Sequence, residues 1–453
     1  MMSSQRLITL EITDLAYDGQ SVGHLDGKVV FCNGGLPGET ILAEIIRSKP
    51  RYDRAVVREI VKKSDARIEP DCDHFDHCGG CSWQDLAYSQ QVAYKKAQVV
   101  ACLQRLADLG DVEVADVIES REQFYYRNKM EFSFHVTGEG SFNLGLHRQG
   151  RYDEIFDLNK CFLQSEQSNR IVSWVREFVT RQQIPVYDVG NHTGFMRFLV
   201  IREGKRTGQV LVNLVTNLGD MPAQQELVTG LCESIPDVTT IVHNQNGRKS
   251  NVATGEIETI LYGPGFVEEE INNCRFRILA NSFFQTNPEQ AEILYNTAFE
   301  MLQARPTDRL LDLYCGTGAI SILVSSSVAE VVGVELVSDA VRIARDNTDI
   351  NAVNNVTFFE GNVKDFLATE DAAAKPFDIV VIDPPRAGLH PKALKRVIRL
   401  TPEKLLYISC NPATFARDAK EITAGGYDLP KVIPVDMFPH TKHIELVGLF
   451  HRK

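Results

Sequence analysis

Arg309-Leu-Leu-Asp-Leu-Tyr-Cys-Gly-Thr-Gly318 decides how the second half of this chain folds. The apolar run Leu310–Leu313 reads as a strand that passes straight into a Gly-x-Gly turn, with a helix to follow. Glycines at that junction let backbone approach a ligand closely. The next strand, Val331–Val334, ends in Glu335. Beyond it the alternation is regular. Thr357–Phe359 precedes Gly361-Asn362, Asp378–Ile382 precedes Asp383-Pro-Pro-Arg386, and Lys404–Ile408 precedes Ser409-Cys410-Asn411-Pro412. Two runs, Leu429–Val435 and Glu445–Phe450, close the sheet. This is the pattern of an open α/β sheet, whose ligands collect outside the carboxyl ends of the strands. Each polar loop follows such an end, so the loops are expected to share one rim.

An acid ending the strand after a glycine turn is placed for the two hydroxyls of a ribose. The loop lacks the third glycine that a pyrophosphate calls for, which predicts S-adenosylmethionine (AdoMet) over a nicotinamide dinucleotide. On the same rim, Cys410 reads either as a small buried hydrophobe or as a nucleophile. The nearby glycine loop, the Asp383 turn and Glu445 favour the nucleophile. Asn411-Pro412 is expected to end the strand and set up a turn. The N–H groups of that turn are expected to lower the thiol pKa from its free value of ~8.5. Glu445 is predicted to point over the same rim, with His443 the rival base. Cys315, inside the glycine loop, reads as a packing residue.

Length bounds the rest: 453 residues imply two or three domains. A net charge of −12 excludes a globally basic nucleic-acid coat but not a local basic face. The first residues, Met1-Met-Ser-Ser-Gln-Arg6, lack the apolar core of a signal peptide, and no apolar run approaches the ~18 residues of a membrane span. A cytoplasmic protein is expected, its ten cysteines reduced and available to metal or chemistry.

Near the start, Ile8–Ile12, Lys28–Phe31, Glu39–Ile46 and Ala55–Ile60 are short strands split by turns such as Tyr17-Asp18-Gly19, the spacing of a small barrel. Arg47, Lys49, Arg51, Arg54, Arg58, Lys62 and Lys63 stand against Asp53 and Glu59. Seven cations against two anions make a local +5. With Tyr17 and Tyr52 available for stacking, an oligonucleotide-binding barrel is expected. Cys72-Asp-His-Phe-Asp-His-Cys78-Gly-Gly-Cys81 follows, three thiols with glycines that let the backbone wrap a ligand. Zinc and an iron–sulfur cluster both suit it, and Cys102, Cys161, His74 and His77 are candidates for a fourth ligand. A helix is predicted over Gln84–Leu109. Strands are predicted at Phe124–Phe134, Phe142–His147 and Tyr152–Leu158. In the first of these, aromatics interleave with Arg127 and Lys129, a composition fit for stacking bases and pairing phosphates. A helix at Ser165–Arg181, strands at Arg197–Arg202 and Gln209–Val215, a helix near Pro222–Cys232 and strands at Thr240–His243 and Glu258–Leu261 complete an α+β segment. Arg275–Leu279 then leads through Asn281-Ser-Phe-Phe-Gln-Thr-Asn-Pro288 to a helix at Glu289–Leu302.

Taken together, the chain resembles the RNA 5-methyluridine methyltransferases, the uracil-5 enzymes of transfer and ribosomal RNA. The likeness is carried by Phe283-Phe284-Gln285, Leu311–Gly318, Glu335, Gly361-Asn362, Asp383–Arg386, Ser409–Pro412, His443-Ile-Glu445, Tyr126–Lys129 and the cysteine set ending at Cys161. The resemblance implies an N-terminal TRAM barrel over residues 1–65 and a central α+β RNA-binding domain with a [4Fe–4S] cluster over 66–275. A Rossmann-like AdoMet methyltransferase domain over 276–453 follows, with the 84–109 helix packed on it. It implies Cys72, Cys78, Cys81 and Cys161 as cluster ligands. Gln285, Tyr314, Glu335, Asn362 and Asp383 are then expected at the cofactor, and Cys410 and Glu445 as nucleophile and base. One departure is Ala319, where some members place an Asn that touches the cofactor; no role is carried to it.

The implied chemistry suits the residues. C5 of uracil is a poor nucleophile until a thiolate adds at C6; a base must then remove the C5 proton so that the thiol can leave. Cytosine methylation would call for a Pro-Cys turn, and no cysteine here follows a proline. The expected RNA is 23S rRNA, with transfer RNA the alternative, and the expected state a monomer. An RNA-binding iron–sulfur protein with an inactive methyltransferase fold is the rival class, and the intact Cys410, Asp383 and Glu445 argue against it.

Overall fold

The computed structural model describes residues 6–16, 19–138, 140–369 and 375–453. Arg6–Leu15, Ser21–Leu25, Lys28–Asn33, Thr40–Ser48 and Tyr52–Lys62 close into a five-stranded barrel. Ile8, Leu10 and Ile12 alternate inward to meet Val30, Cys32, Ile41, Ala43 and Ala55, as the two-residue period of a strand dictates. The second strand was not expected because Gly23 interrupts its apolar run. That glycine is required, since a Cβ there would lie 2.5 Å from the Glu11 carbonyl and 2.7 Å from Leu10. Glu44 neutralises Arg58 of the basic stretch, whereas Lys28, from outside it, takes up the stretch's own Asp53 at 2.6 Å. Tyr52 packs edge-on against Phe31, while Tyr17 lies outside the described residues.

Seven strands form the central sheet, in the order Ile257–Tyr262, Val238–Gln245, Val210–Thr216, Met196–Glu203, Lys129–Gly138, Ser141–Arg148 and Arg151–Asp157. Helices Glu166–Arg181 and Gln224–Ser234 cover its core, the first capped by Ser165 Oγ, which accepts from the Ser168 N–H at 3.0 Å. The strand expected from Phe124 begins only at Lys129. Tyr125 has φ +58°, and Tyr126 turns inward so that its hydroxyl donates to Pro439 O at 3.1 Å. Tyr126 is therefore no stacking platform.

The helix expected over Gln84–Leu109 is α-helical from Tyr88 to Cys102. A π-turn over Leu103–Ala107 follows and ends at Asp108 with φ +58°. Val99, Leu103 and Ala107 join the core of the C-terminal sheet. Further strands were not expected. Glu113–Val114 pairs in parallel with Lys431–Val432 at the edge of that sheet. Phe266–Ile271 pairs with Cys274–Leu279, its apolar alternation hidden by Glu268-Glu-Glu270. Glu269 faces inward because its carboxylate accepts the N–H groups of Lys205, Arg206 and Glu270 at 2.7–3.1 Å.

The C-terminal sheet is Rossmann-like. Val356–Glu360, Glu330–Glu335, Arg309–Leu313, Ile379–Ile382 and Lys404–Ser409 run parallel in that order, and the antiparallel Glu445–Arg452 leads on to Lys431–Val435 and Glu113–Val114. Strand order reverses between Arg309–Leu313 and Ile379–Ile382, which opens a crevice at their carboxyl ends.

Candidate active site

That crevice is a cleft of about 1250 Å³. Gln285, Tyr314, Glu335, Asn362, Asp383, Cys410 and Glu445 all line it, as do Arg127, Arg386 and His443. The residues singled out from the C-terminal sequence thus meet in one volume. Arg127 comes from the segment before the central sheet, and Gln285 from the loop before helix Pro288–Leu302.

Tyr314 takes φ +67° as the chain leaves the strand, and its N–H donates to Val334 O at 3.0 Å. Gly318, at φ +83°, could not carry a side chain, since a Cβ would meet Phe358 at 2.9 Å. Gly316, by contrast, leaves open space on its Cβ side. Glu335 accepts N–H bonds from Gly316 (3.1 Å), Leu336 (2.8 Å) and Val337 (2.9 Å), which fixes its carboxylate at the cleft wall. Leu336 and Val337 are exposed beside it, an apolar lip next to an acid. Asn362 caps the short helix Val363–Phe366 by accepting from Lys364 N–H at 2.9 Å. Gln285 is held through its carbonyl, which accepts from Asn128 Nδ2 at 3.1 Å.

Sequence reasoning quoted Asp312 without giving it a role. It is fully buried beneath the glycine loop; Ser321 Oγ donates to one oxygen at 2.6 Å, and the other has no hydrogen-bond partner among the described residues. Burial pushes its carboxyl up to about 7. The signal was an aspartate inside an otherwise apolar strand.

Cys410, Asp383 and Glu445 form a cluster of acids. Burial pushes the Asp383 carboxyl up to about 7. Burial and then the charge of Asp383 push Glu445 well above the carboxylate range, with Arg386 pulling back. Cys410 moves the other way from expectation. Its thiol is pushed up to about 11 by burial first, then by Glu445 and Asp383, and the Arg386 charge is too small a counterweight. The expected turn is also corrected. Asn411 is the N-cap of helix Pro412–Ala424, accepting from Ala413 N–H at 3.0 Å, and its Nδ2 donates to Arg386 O at 3.0 Å. This ties the Cys410 loop to the Asp383 loop. His443 is pushed down to about 4 by burial and the surrounding cations, so it is neutral near pH 7. Crowded acids in a partly desolvated cleft suit a cationic ligand, which the sulfonium and ammonium groups of AdoMet make it.

Cys78, Cys81 and Cys161 are buried in the core beneath the central sheet, with Cys72 half-buried near enough that its charge acts on Cys78 and Cys81. N–H groups point at the sulfurs, Gly80 N to Cys78 Sγ at 3.3 Å and Gln84 Nε2 to Cys81 Sγ at 3.2 Å. Cys102 packs against the other core, and His74 Nε2 already accepts from Asn159 N–H at 3.0 Å. Among the described residues, no three Cys, His, Asp or Glu side chains stand close enough to grip one metal ion. No helix among them is long and apolar enough to cross a membrane.

The tRNA (uracil-5-)-methyltransferase family model matches residues 87–453, and the TRAM domain model matches residues 6–57. An uncharacterized RNA methyltransferase of Chlorobaculum tepidum is 38% identical over 466 residues, covering 98% of this chain and 96% of the relative. Another, from Caldanaerobacter subterraneus, is 36% identical over 454 residues and covers 100% of both. Among solved structures, the Pyrococcus abyssi tRNA (uracil-54, C5)-methyltransferase in complex with S-adenosyl-L-homocysteine aligns with a TM-score of 0.78 at 31% identity, covering 98% of this chain and all of that one. With a TRAM domain at its N-terminus and a Rossmann-like sheet built around this cleft, the chain belongs to the uracil-C5 RNA methyltransferase family.

Proposed function

We propose that the protein methylates C5 of a uridine in RNA, with Cys410 as nucleophile and Glu445 as the base that removes the C5 proton. The observation that carries this reading is the meeting of Cys410, Asp383 and Glu445 in one cleft with the glycine loop and Glu335. When bound, AdoMet supplies an electrophilic methyl group; Glu335 holds its ribose hydroxyls, Tyr314 packs on it, and Gln285 and Asn362 complete its pocket. Asp383 lies between the cofactor and the target base. Asp383, raised by burial and sharing the cleft with Cys410, is the group that takes the Cys410 proton. The thiolate adds to C6 of uracil, and the electron pair this places on C5 makes that carbon nucleophilic. After methylation, Glu445 in its ionised form, which its raised pKa makes a strong base, takes the C5 proton, the C5–C6 double bond reforms, and the thiolate leaves. Arg127 is placed to pair with an RNA phosphate at the cleft mouth.

For the thiols we propose a [4Fe–4S] cluster on Cys72, Cys78, Cys81 and Cys161. Thiolates on one zinc lie ~3.8 Å apart, given Zn–S bonds of ~2.3 Å, whereas a four-iron cube spreads them wider. What supports the reading are the N–H groups that point at Cys78 and Cys81, as the sulfurs of a cluster would accept them. When bound, the cluster would staple the Cys72–Cys81 loop to Cys161. We read residues 1–65, 66–275 and 276–453 as the three domains of a cytoplasmic monomer. The RNA we propose is 23S rRNA. A transfer-RNA substrate is the second reading, supported by the activity named for the Pyrococcus abyssi enzyme. Mapping 5-methyluridine in both RNAs of a deletion strain tests this: loss from 23S rRNA supports the first reading, and loss from transfer RNA alone replaces it. No loss from either, with no tritium release from uridine-labelled RNA in vitro, leaves an RNA-binding protein with an inactive methyltransferase fold.

A further inference from the structure

The loop leading into Glu445 is gripped from behind. Asp436 to Ile444 connects strand Lys431–Val435 to the Glu445 strand, and one side of this connection, through Phe438, Thr441 and His443, faces the cleft. Its other side lies against residues some 350 positions earlier. Lys95 Nζ donates to Asp436 Oδ1 at 2.7 Å with neither side chain exposed, and to Phe438 O at 3.1 Å. Gln91 Oε1 accepts from His440 N–H at 2.9 Å, while Gln91 Nε2 is fixed by Trp83 O and Leu86 O, both at 2.8 Å. His440 O accepts from the N–H groups of Ser82 (2.8 Å) and Trp83 (3.1 Å), the two residues after Cys81. Phe124 stacks on the His440 ring at 4.4 Å, and the Tyr126 hydroxyl reaches Pro439 O.

This grip is more than packing needs. His440 sits at φ +63°, a conformation that a non-glycine residue keeps only where its surroundings over-determine it. Here every polar backbone group of His440 is bound to the 82–91 segment. Such strain gathers where a nearby group must be held in one place, and Glu445 is five residues on. Glu445 opens its strand opposite Val435, so the clamped loop joins the two members of that pair.

We infer that Gln91 and His440, with Tyr126 behind them, are positioning residues for Glu445, holding its carboxylate at the one angle from which it reaches the proton on C5. The inference rests on the reading of Glu445 as the base. It separates this clamp from ordinary core packing, because a misplaced base fails at one step only. The Cys410–C6 bond forms and the methyl reaches C5, but the C5 proton has no acceptor. The electron pair of the C5–H bond then cannot become the C5–C6 double bond, and the thiolate is not expelled.

The test is Gln91→Leu in the full-length enzyme, with Tyr126→Phe as an isosteric variant that removes only a hydroxyl, and Glu445→Gln as reference. Turnover on uridine RNA should fall about 100-fold for Gln91→Leu, the cost of roughly 1 Å of misplacement. AdoMet affinity should be unchanged, and a methylated covalent enzyme–RNA species should accumulate on a denaturing gel as it does for Glu445→Gln. Tyr126→Phe should show a smaller loss with the same species, and decides the matter if Gln91→Leu does not fold. Lost turnover without that species, alongside its clear accumulation in Glu445→Gln, overturns the clamp alone, as does normal turnover of both variants. If Glu445→Gln itself accumulates nothing, the reading of Glu445 and the inference built on it both fall.

Discussion

Cys410 and Glu445 lie one residue beyond the same cross-strand pair, Ser409 opposite Leu446, where antiparallel strands Lys404–Ser409 and Glu445–Arg452 meet. Cys410 thus follows the last pair of that ladder on one strand, Glu445 precedes it on the other, and both line the cleft. The two groups that uracil chemistry asks for are therefore brought together by sheet pairing rather than by flexible loops. Their closeness has an electrostatic cost, because the Glu445 charge adds to burial in pushing the Cys410 thiol up.

The pairing implies separable failures. Cys410→Ala should abolish methyl transfer and any covalent adduct with 5-fluorouridine RNA. Glu445→Gln should transfer one methyl and then stall as a slow band on a denaturing gel. Normal turnover of Cys410→Ala beside a dead Cys315→Ala would reassign the nucleophile.

Glu335 should dominate recognition of the nucleoside. Glu335→Ala should weaken AdoMet by roughly 1–3 kcal/mol, since two ribose hydroxyls and three backbone N–H groups lose their acceptor. Isothermal titration calorimetry checks it, and unchanged affinity removes Glu335 from the site.

Asp383 gives a pH dependence of defined sign. Its folded carboxyl, at about 7, lies above the unfolded value of ~3.9, so the folded state holds the extra proton in between. The stability this contributes is full below about pH 4 and is lost as pH rises through 7. Asp383→Asn removes that loss. The melting temperature of wild type relative to Asp383→Asn should therefore fall between pH 4 and 8, and a constant difference would show that Asp383 ionises normally. AdoMet, bringing positive charge to the same acids, should narrow the gap at pH 8.

Anaerobically purified protein should be brown and carry acid-labile sulfide. Cys72→Ala or Cys161→Ala should bleach it and harm folding and RNA docking more than AdoMet binding, because Cys78, Cys81 and Cys161 sit in the core of the central sheet and none of the four thiols lines the cofactor cleft. Colourless protein with one zinc per chain would replace the cluster.

How much of this was legible follows from where each signal lies along the chain. The rim residues were readable because glycine, proline and acidic residues punctuate short apolar strands at Gly316, Asp383 and Asn411. Phe266–Ile271 was not, because Glu269 faces inward and erases the alternation that marks a strand. The raised thiol of Cys410 was not legible either. The nearby N–H groups are a local feature, whereas burial, and after it the charges of Glu445 and Asp383, act on the thiol only through the fold. Gln91 and His440 are 349 positions apart, and no periodicity in either segment announces that they meet.

Glu113–Val114 bears on how such enzymes can be taken apart. It supplies the outer edge of the C-terminal sheet although nearly two hundred residues, the central sheet among them, separate it from the first catalytic strand, Arg309–Leu313. A fragment cut at residue 276 would keep its cofactor loops and still bare the N–H and C=O groups of Lys431–Val435, an open invitation to pair with another chain. Modularity in this architecture is thus shallower than the run of domains along the chain implies. A catalytic half moved onto a new RNA-binding partner should aggregate unless residues 88–118 travel with it, and gene fusion or exchange between relatives would have to respect the same seam.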